Sequence, residues 1–348
     1  MTRNKEKTKI KTDLIALGRL AHRLAKGGKY KEAEAKYTLI LKINPDNVYA
    51  LVGLGDLERK RRRFEEAIYY YQRSLEVEKN NKFALAGLGD TYRGLAEVDK
   101  ALETWSHYLS LNPDDYKVMT RVADGFRKKG DLETAKGYYL MALKKNPADP
   151  YALIGLGDIF VREGNDEEAL KFFERLIRIS DDSIVALTYA SDIYRRQRQY
   201  EKAMDYYDRV LEIDPQNIFA WHGKADCLRA KKDYPSAIKA WQMALKYGMN
   251  PKIVTTRIGD VYMSLKDLEQ AEANYKKALA LGYDKYAYLG MAKIHTTRNH
   301  LDEALRIFSM LVEKEPNDSR IAAGFKGFVE KYPHLKKAVP GTEEMHIP

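Results

Sequence analysis

The sequence predicts an all-α solenoid of about nine helix-turn-helix repeats, closed by a C-terminal capping helix. Three observations carry that expectation. The tetrapeptide Gly-Leu-Gly-Asp occurs at 53–56, 87–90 and 155–158, at separations of 34 and 68 residues, one and two steps of a single period. Set in rows of that period, the chain fills 14–47, 48–81, 82–115, 116–149, 150–183, 184–217, 218–251, 252–284 and 285–318, and only the eighth row is one residue short. Column 20 of these rows is alanine throughout, from Ala33 to Ala304, and column 24 is always aromatic, from Tyr37 to Phe308. A small residue lets two backbones approach, and an aromatic one turn later fills the space beside it.

The elements follow in chain order. Residues 1–13, MTRNKEKTKIKTD, hold no apolar stripe and are expected as a basic, flexible leader. In each row apolar residues fall at columns 4, 7, 8 and 11, then at 20, 24, 27 and 28, which is helical spacing twice over. Breakers or caps at columns 14–16 (Gly28, Gly130-Asp131, Gly164-Asn165, Asp233) separate the two helices by a tight turn. The second helix closes at Asn44-Pro45, Asn112-Pro113, Asn146-Pro147, Asp214-Pro215 and Glu315-Pro316, because a residue before proline is pushed out of the α region. After row nine, Ser319 is placed to cap a helix over 319–333 that carries Ile321, Ala322, Phe325, Phe328 and Val329 and stops at Tyr332-Pro333. Residues 334–348 contain Pro340-Gly341, lack periodicity and are expected to be disordered.

Row three states the pattern most fully: Leu85-x2-Leu88-Gly89-x2-Tyr92, then Ala101-x3-Trp105, then Pro113. This resembles the tetratricopeptide repeat (TPR) family, a 34-residue helix-turn-helix with W-x2-L-G-x2-Y, A-x3-F and a closing proline. The resemblance covers residues 14–318 and implies a right-handed superhelix that binds protein partners rather than a catalyst. Departures are few: Lys79, Asp181, Met249 and Tyr283 stand where proline would close a row, and Lys224 occupies an apolar column. Gly53 and Gly55 therefore lie inside a helix, where each costs about 1 kcal/mol relative to alanine, and close helix contact is the return. They are not a phosphate loop, since no G-x-x-x-x-G-K-[ST] occurs in the chain.

Composition narrows the function further. Cys227 is the single cysteine, so neither a disulfide framework nor a thiolate metal site is expected, and its helical column gives it a buried, apolar role. The N-terminal stretch has no apolar core of signal-peptide length and no run of 18 apolar residues exists, so a cytoplasmic protein is the default expectation. The seven histidines fall in unrelated columns without H-E-x-x-H spacing, and no nucleophile motif is present, so no catalytic residue, cofactor or metal is expected. The net charge of +10 is concentrated: residues 1–63 hold 17 Lys plus Arg against 7 Asp plus Glu, and the remainder balances. Arg59-Lys60-Arg61-Arg62-Arg63 and the leader's Arg3, Lys5, Lys7, Lys9 and Lys11 make a candidate site for an anionic partner, a nucleic acid or a membrane surface.

Column 9 is the most informative. It holds His22, then Asp56, Asp90, Asp124, Asp158, Asp192, Asp226 and Asp260, then Lys293. Columns 2, 5, 9 and 12 share a helical stripe roughly opposite the packing stripe, and in TPR proteins that stripe lines the concave groove. Column 2 is apolar or aromatic in eight rows, with Tyr49, Phe83, Tyr151, Phe219 and Tyr286 among them. Two readings stand side by side for each column. The aspartates either contact a ligand or only pair with Arg59, Arg93, Arg127, Arg195 and Arg229 three residues on, and Arg162 four residues after Asp158. The column 2 side chains either face a partner or pack on the preceding repeat. Facing a partner, they suit an amphipathic or extended peptide with apolar and basic residues. Carboxylate-clamp relatives use Lys at column 5 and Asn at column 9, and neither is present, so no chaperone tail is expected as ligand.

Overall fold

The computed structural model describes the backbone of residues 2–338 and the side chains of residues 13–335. Its elements fall into two compact units, residues 1–179 and 180–348. In the first unit, α1 (Thr2–Lys26) pairs with α2 (Tyr30–Ile43), and α3 (Val48–Lys60) with α4 (Phe64–Val77). Then come α5 (Lys82–Gly94) with α6 (Val98–Leu111), α7 (Tyr116–Lys129) with α8 (Leu132–Lys145), and α9 (Pro150–Arg162) with α10 (Asp166–Ile179). The second unit holds α11 (Ile184–Arg196) with α12 (Tyr200–Ile213), and α13 (Ile218–Ala230) with α14 (Tyr234–Lys246). It continues with α15 (Pro251–Ser264) and α16 (Leu268–Ala280), then α17 (Lys285–Thr297) and α18 (Leu301–Lys314). A lone helix α19 (Ser319–Lys331) and a 3-10 turn (Pro333–Ala338) close it. No strand occurs among the described residues. Each unit is thus a stack of helical hairpins, five in the first and four plus the closing helix in the second.

The helix boundaries have local causes. Asn47, Asn81, Asp115, Asn217, Asn250 and Asp284 cap first helices by accepting hydrogen bonds from backbone N–H groups of the opening turn. The turn between paired helices puts column 15 in the left-handed region in all nine repeats. Glycine supplies it at Gly28, Gly130 and Gly164, whereas Arg62, Ala96, Arg198, Lys232, Lys266 and Asn299 adopt it with a side chain. Where the closing proline is missing before Met249 and Tyr283, Gly248 and Gly282 turn the chain with φ of 104° and 119°.

Three expectations need correction. The helix α1 starts at Thr2, so the backbone of the supposed leader continues the first repeat as helix. The last helix is capped by Asp318, whose carboxylate accepts from the N–H groups of Arg320 and Ile321, while Ser319 is its first residue. Residues 333–338 form a 3-10 turn rather than a disordered start of the tail; residues 339–348 lie outside the described residues.

The column 20 alanines and column 24 rings are all buried in the core, beside the apolar residues of the first helices. The glycine pairs explain how those rings fit. A Cβ on Gly55, Gly89, Gly157 or Gly259, at column 8, would meet the ring of its own repeat at 2.4–2.7 Å. A Cβ at column 6 would strike the ring of the preceding repeat: Gly53 on Tyr37, Gly87 on Tyr71, Gly155 on Tyr139, Gly223 on Tyr207 and Gly290 on Tyr275, at 2.1–2.4 Å. The tyrosine lies flat across this bare backbone, which carries its hydroxyl to the polar face of the first helices.

Candidate functional site

On that face the tyrosine hydroxyl donates to a column 9 aspartate. Tyr71 reaches Asp56 at 2.7 Å, Tyr139 reaches Asp124 at 2.5 Å, Tyr207 reaches Asp192 at 2.5 Å and Tyr275 reaches Asp260 at 2.8 Å. Burial, and then the neighbouring carboxylate, push all four phenols well above their ordinary value, so they remain protonated donors. In three of these repeats the column 12 arginine closes a triangle. Its Nε donates to the tyrosine oxygen at 3.2–3.3 Å (Arg59, Arg127, Arg195), and its Nη2 meets the aspartate at 3.2–3.4 Å. The remaining Nη1 crosses to the next repeat: Arg59 to Asp90 at 3.8 Å, Arg127 to Asp158 at 2.7 Å and Arg195 to Asp226 at 3.7 Å.

The seven aspartates therefore fall into two alternating sets. Asp56, Asp124, Asp192 and Asp260 keep 31–47 % of the side chain exposed, with one oxygen held by tyrosine. Asp90, Asp158 and Asp226 keep only 9–13 % and are enclosed by cations. Asp90 also meets Arg93 and Arg121, Asp158 meets Arg162 at 3.0 Å, and Asp226 meets Arg229. The cause lies at column 24, where these three repeats carry Trp105, Phe173 and Trp241, none of which brings a hydroxyl. The Trp241 indole donates instead to Nδ1 of His222 at 3.2 Å, and burial depresses that imidazole's pKa.

Beside the aspartates, most of the column 2 side chains stand in solvent. Phe83, Tyr151 and Phe219 are 64 %, 70 % and 69 % exposed, so they are not core residues. Ile15, Val185 and Ile253 are exposed too, as is Tyr286. Tyr49 is intermediate in kind: half exposed, it also leans over Gly18 of the first repeat. Lys117, the polar exception, lies over the Tyr116 ring. At column 5 two threonines brace the stack, Thr120 donating to Asp149 at 2.7 Å and Thr256 to Asp284 at 3.1 Å.

Cavities open on this face. One of about 330 Å³ in the first unit is lined by His22, Tyr37, Asp56 and Arg59. A second, of about 1040 Å³, lies in the second unit, with walls mainly from α15, α17 and α19.

The basic stretch 59–63 does not form one surface. Arg59 belongs to the tyrosine triangle, Arg61 pairs with Glu34 and Glu58 at 2.8 Å, and Arg63 pairs with Glu58 at 3.4 Å. Lys60 lies over the Tyr30 ring, and Arg62 occupies the left-handed turn position. The side chains of Arg3, Lys5, Lys7, Lys9 and Lys11 are outside the described residues. Cys227 is fully buried, which pushes its thiol up to about 12. Among the described residues no group of acidic, histidine or cysteine side chains is arranged to hold a metal, and no helix is long and apolar enough to cross a membrane.

Family models described as tetratricopeptide repeat match residues 19–81, 120–184, 192–217 and 262–324, together more than half of the chain. The chain belongs to the tetratricopeptide repeat family. TPR arrays are protein-interaction modules and generally non-catalytic. No curated protein matches the chain by sequence. Among solved structures, the C-terminal part of a TPR repeat-containing protein from Cytophaga hutchinsonii is 21% identical, with a TM-score of 0.58 over 68% of this chain and 97% of that one. PilW, a type IV pilus biogenesis factor, is 18% identical with a TM-score of 0.53 over 60% and 97%. Pseudomonas aeruginosa pilF is 16% identical with a TM-score of 0.51 over 62% and 97%. At such identities the likeness concerns the TPR fold alone.

Sequence reasoning had no access to the alternation of the aspartates, because it treats column 24 as simply aromatic. A signal was nevertheless present. Where column 24 is tyrosine, column 6 of the next row is glycine (53, 87, 155, 223, 290), and where it is tryptophan the next row has Arg121 or Arg257.

Proposed function

We propose that this TPR protein is a non-catalytic scaffold or adaptor. It holds a partner protein segment along the first-helix face and organises an assembly in the cytoplasm. The observation that carries the reading is the interleaving of exposed column 2 rings with half-exposed carboxylates on successive first helices. Phe219 lies one repeat after Asp192, and Tyr151 one repeat after Asp124. A merely solvated face has no reason to keep phenyl rings in water at this spacing. The matching segment is extended or amphipathic, with apolar residues interleaved with Lys or Arg. Asp56, Asp124 and Asp192 make its charge contacts through the oxygen that tyrosine leaves open, and Asp260 does so beside Arg257. Asp90, Asp158 and Asp226 brace the stack.

Display of proteome-derived peptides on the full chain tests this. Selected segments are expected to alternate apolar and basic residues, and Phe219→Asp is expected to weaken their binding at least tenfold at wild-type helicity. Selection of acidic or featureless segments, or indifference to Phe219→Asp, refutes the groove reading. The anionic-partner alternative rests on the charge excess of residues 1–63 alone, since three arginines of the 59–63 stretch are already paired. Steep loss of affinity with salt is its signature.

A further inference from the structure

The aspartate column ends in a charge reversal. After Asp260, the ninth repeat places Lys293 at column 9, on α17. Lys293 is exposed, and among the described residues its ammonium has neither an ion pair nor a hydrogen bond. It lines the cavity of about 1040 Å³, whose opposite wall is α19 with Arg320 and Lys331. Neither of those cations meets a carboxylate: Arg320 donates to the Tyr286 hydroxyl at 2.9 Å and lies over its ring, and Lys331 lies over the Tyr332 ring. Asp260 is the only acidic lining residue, and it is already engaged by Tyr275 and by Arg257 at 3.8 Å. The cavity therefore joins Lys293, Arg320 and Lys331, none of them in an ion pair among the described residues, to a single lining carboxylate, Asp260, and to an apolar floor that includes Leu289 and Phe328.

Resting on the groove reading, we propose that this cavity takes an acidic end of the partner segment, a carboxylate side chain followed by an apolar residue. The segment then has a polarity: a basic residue lies over Asp192, and its acidic end lies over Lys293, Arg320 and Lys331. Like charges meet if the segment is reversed, so the cavity sets binding direction as well as affinity. The α19 wall is bare where a ligand would enter, because a Cβ on Gly327 meets nothing within 4 Å. A side chain there fills the cavity without disturbing the helix.

The probes are fluorescein-labelled peptides of about twelve residues, long enough to cross four first helices spaced about 10 Å apart. They alternate Leu and Lys and carry Glu-Leu-Glu or Gln-Leu-Gln at one terminus or the other. By anisotropy on the full chain, Glu-Leu-Glu at one terminus only is expected to tighten binding about tenfold, the scale of one charge-assisted hydrogen bond. The double variant K293Q/K331Q and, separately, Gly327→Leu are expected to abolish that gain and to leave the Gln-Leu-Gln affinity unchanged. Equal affinity of Glu and Gln peptides, or a gain that survives K293Q/K331Q, overturns the inference while the groove reading stands. If no peptide binds, both fail. If E343Q/E344Q in the full chain tightens the acidic peptide, the cavity's occupant is the chain's own C-terminal segment, and the proposal of a partner is overturned.

Discussion

Two helical glycines of adjacent repeats predict opposite outcomes from the same substitution. At Gly155 an added Cβ lies 2.2 Å from Cζ of Tyr139 and 2.6 Å from both Cε atoms. Ordinary contact needs about 3.5 Å or more, so the ring or the helix must shift by about 1 Å. The ring cannot retreat easily. It is fully buried, and its hydroxyl is fixed by Asp124 at 2.5 Å and Arg127 at 3.2 Å. Overpacking of this kind destabilises by about 1–3 kcal/mol, against a gain of about 1 kcal/mol in helix propensity. Gly155→Ala is therefore expected to lose up to about 2 kcal/mol, worth about 2 °C or less in melting temperature per kcal/mol for a chain of this length. Gly137, on the exposed side of α8, has nothing within 4 Å of its virtual Cβ. Gly137→Ala is expected to gain about 0.5–1 kcal/mol. Urea titration followed by far-UV circular dichroism measures both. A Gly155→Ala chain as stable as wild type would mean that tyrosine does not rest on the column 6 backbone, and the explanation of the hydroxyl's position would fall with it.

Other substitutions probe the remaining links. Ala96 holds φ at 61°, so Ala96→Gly is expected to raise stability by about 1 kcal/mol in the same titration; a loss would place the strain elsewhere. Asp226 lies between Arg195 and Arg229 and Asp192 is half exposed, so Asp226→Asn is expected to cost about 1–2 kcal/mol. Asp192→Asn keeps an acceptor for Tyr207 and is expected to cost under about 0.5 kcal/mol, with equal losses counting against two classes of aspartate. The Cys227 thiol has an ordinary value of 9.0 and is raised to about 12 in the fold. Its stabilising contribution is thus complete below pH 9 and lost as pH rises towards 12. At pH 8 a disulfide reagent such as Ellman's is expected to react only after urea unfolds the chain, and prompt labelling of the native protein would contradict the burial.

Nearly all of the fold was legible because its two determinants are local and periodic. Alanine at column 20 and an aromatic at column 24 repeat nine times, and apolar spacing fixes which face of each helix packs. The capping helix α19 was legible for the same reason, since Ile321, Phe325 and Phe328 pack against Phe308 and Leu311. What escaped depends on contacts 15 or 31 residues apart in sequence, such as Tyr139 with Asp124 and Arg127 with Asp158. No helical spacing encodes such pairs. The left-handed turns escaped for another reason: glycine announces them at Gly130, but Arg62 and Ala96 adopt the conformation only because neighbouring helices impose it. Exposure of Phe83, Tyr151 and Phe219 was undecidable from residue type, since phenyl rings at helical spacing are usually core.

The tyrosine triangles also constrain what the groove can recognise. In all four tyrosine repeats the aspartate is held by a phenol that cannot ionise near neutrality and, in the three triangles, also by an arginine anchored to the next repeat. Its rotamer is fixed before any ligand arrives, so little conformational entropy is left to lose on binding. Only every second repeat offers such a carboxylate, Asp56 and Asp124 in the first unit and Asp192 and Asp260 in the second. Two helix spacings of about 10 Å separate the members of each pair, and an extended strand covers that distance in about six residues. If the exposed aspartates receive the partner's cations, an extended partner is expected to carry Lys or Arg about six residues apart, with apolar residues between them over Phe83 or Phe219. Synthetic peptides with two lysines six residues apart are expected to bind the full chain several-fold more tightly than peptides of equal composition with the lysines three apart. Asp192→Asn combined with Asp124→Asn should erase that preference, whereas Asp226→Asn should not. A preference for the three-residue spacing, matching every repeat rather than every second one, would mean that the buried aspartates also face the ligand and that the alternation is a feature of stability alone.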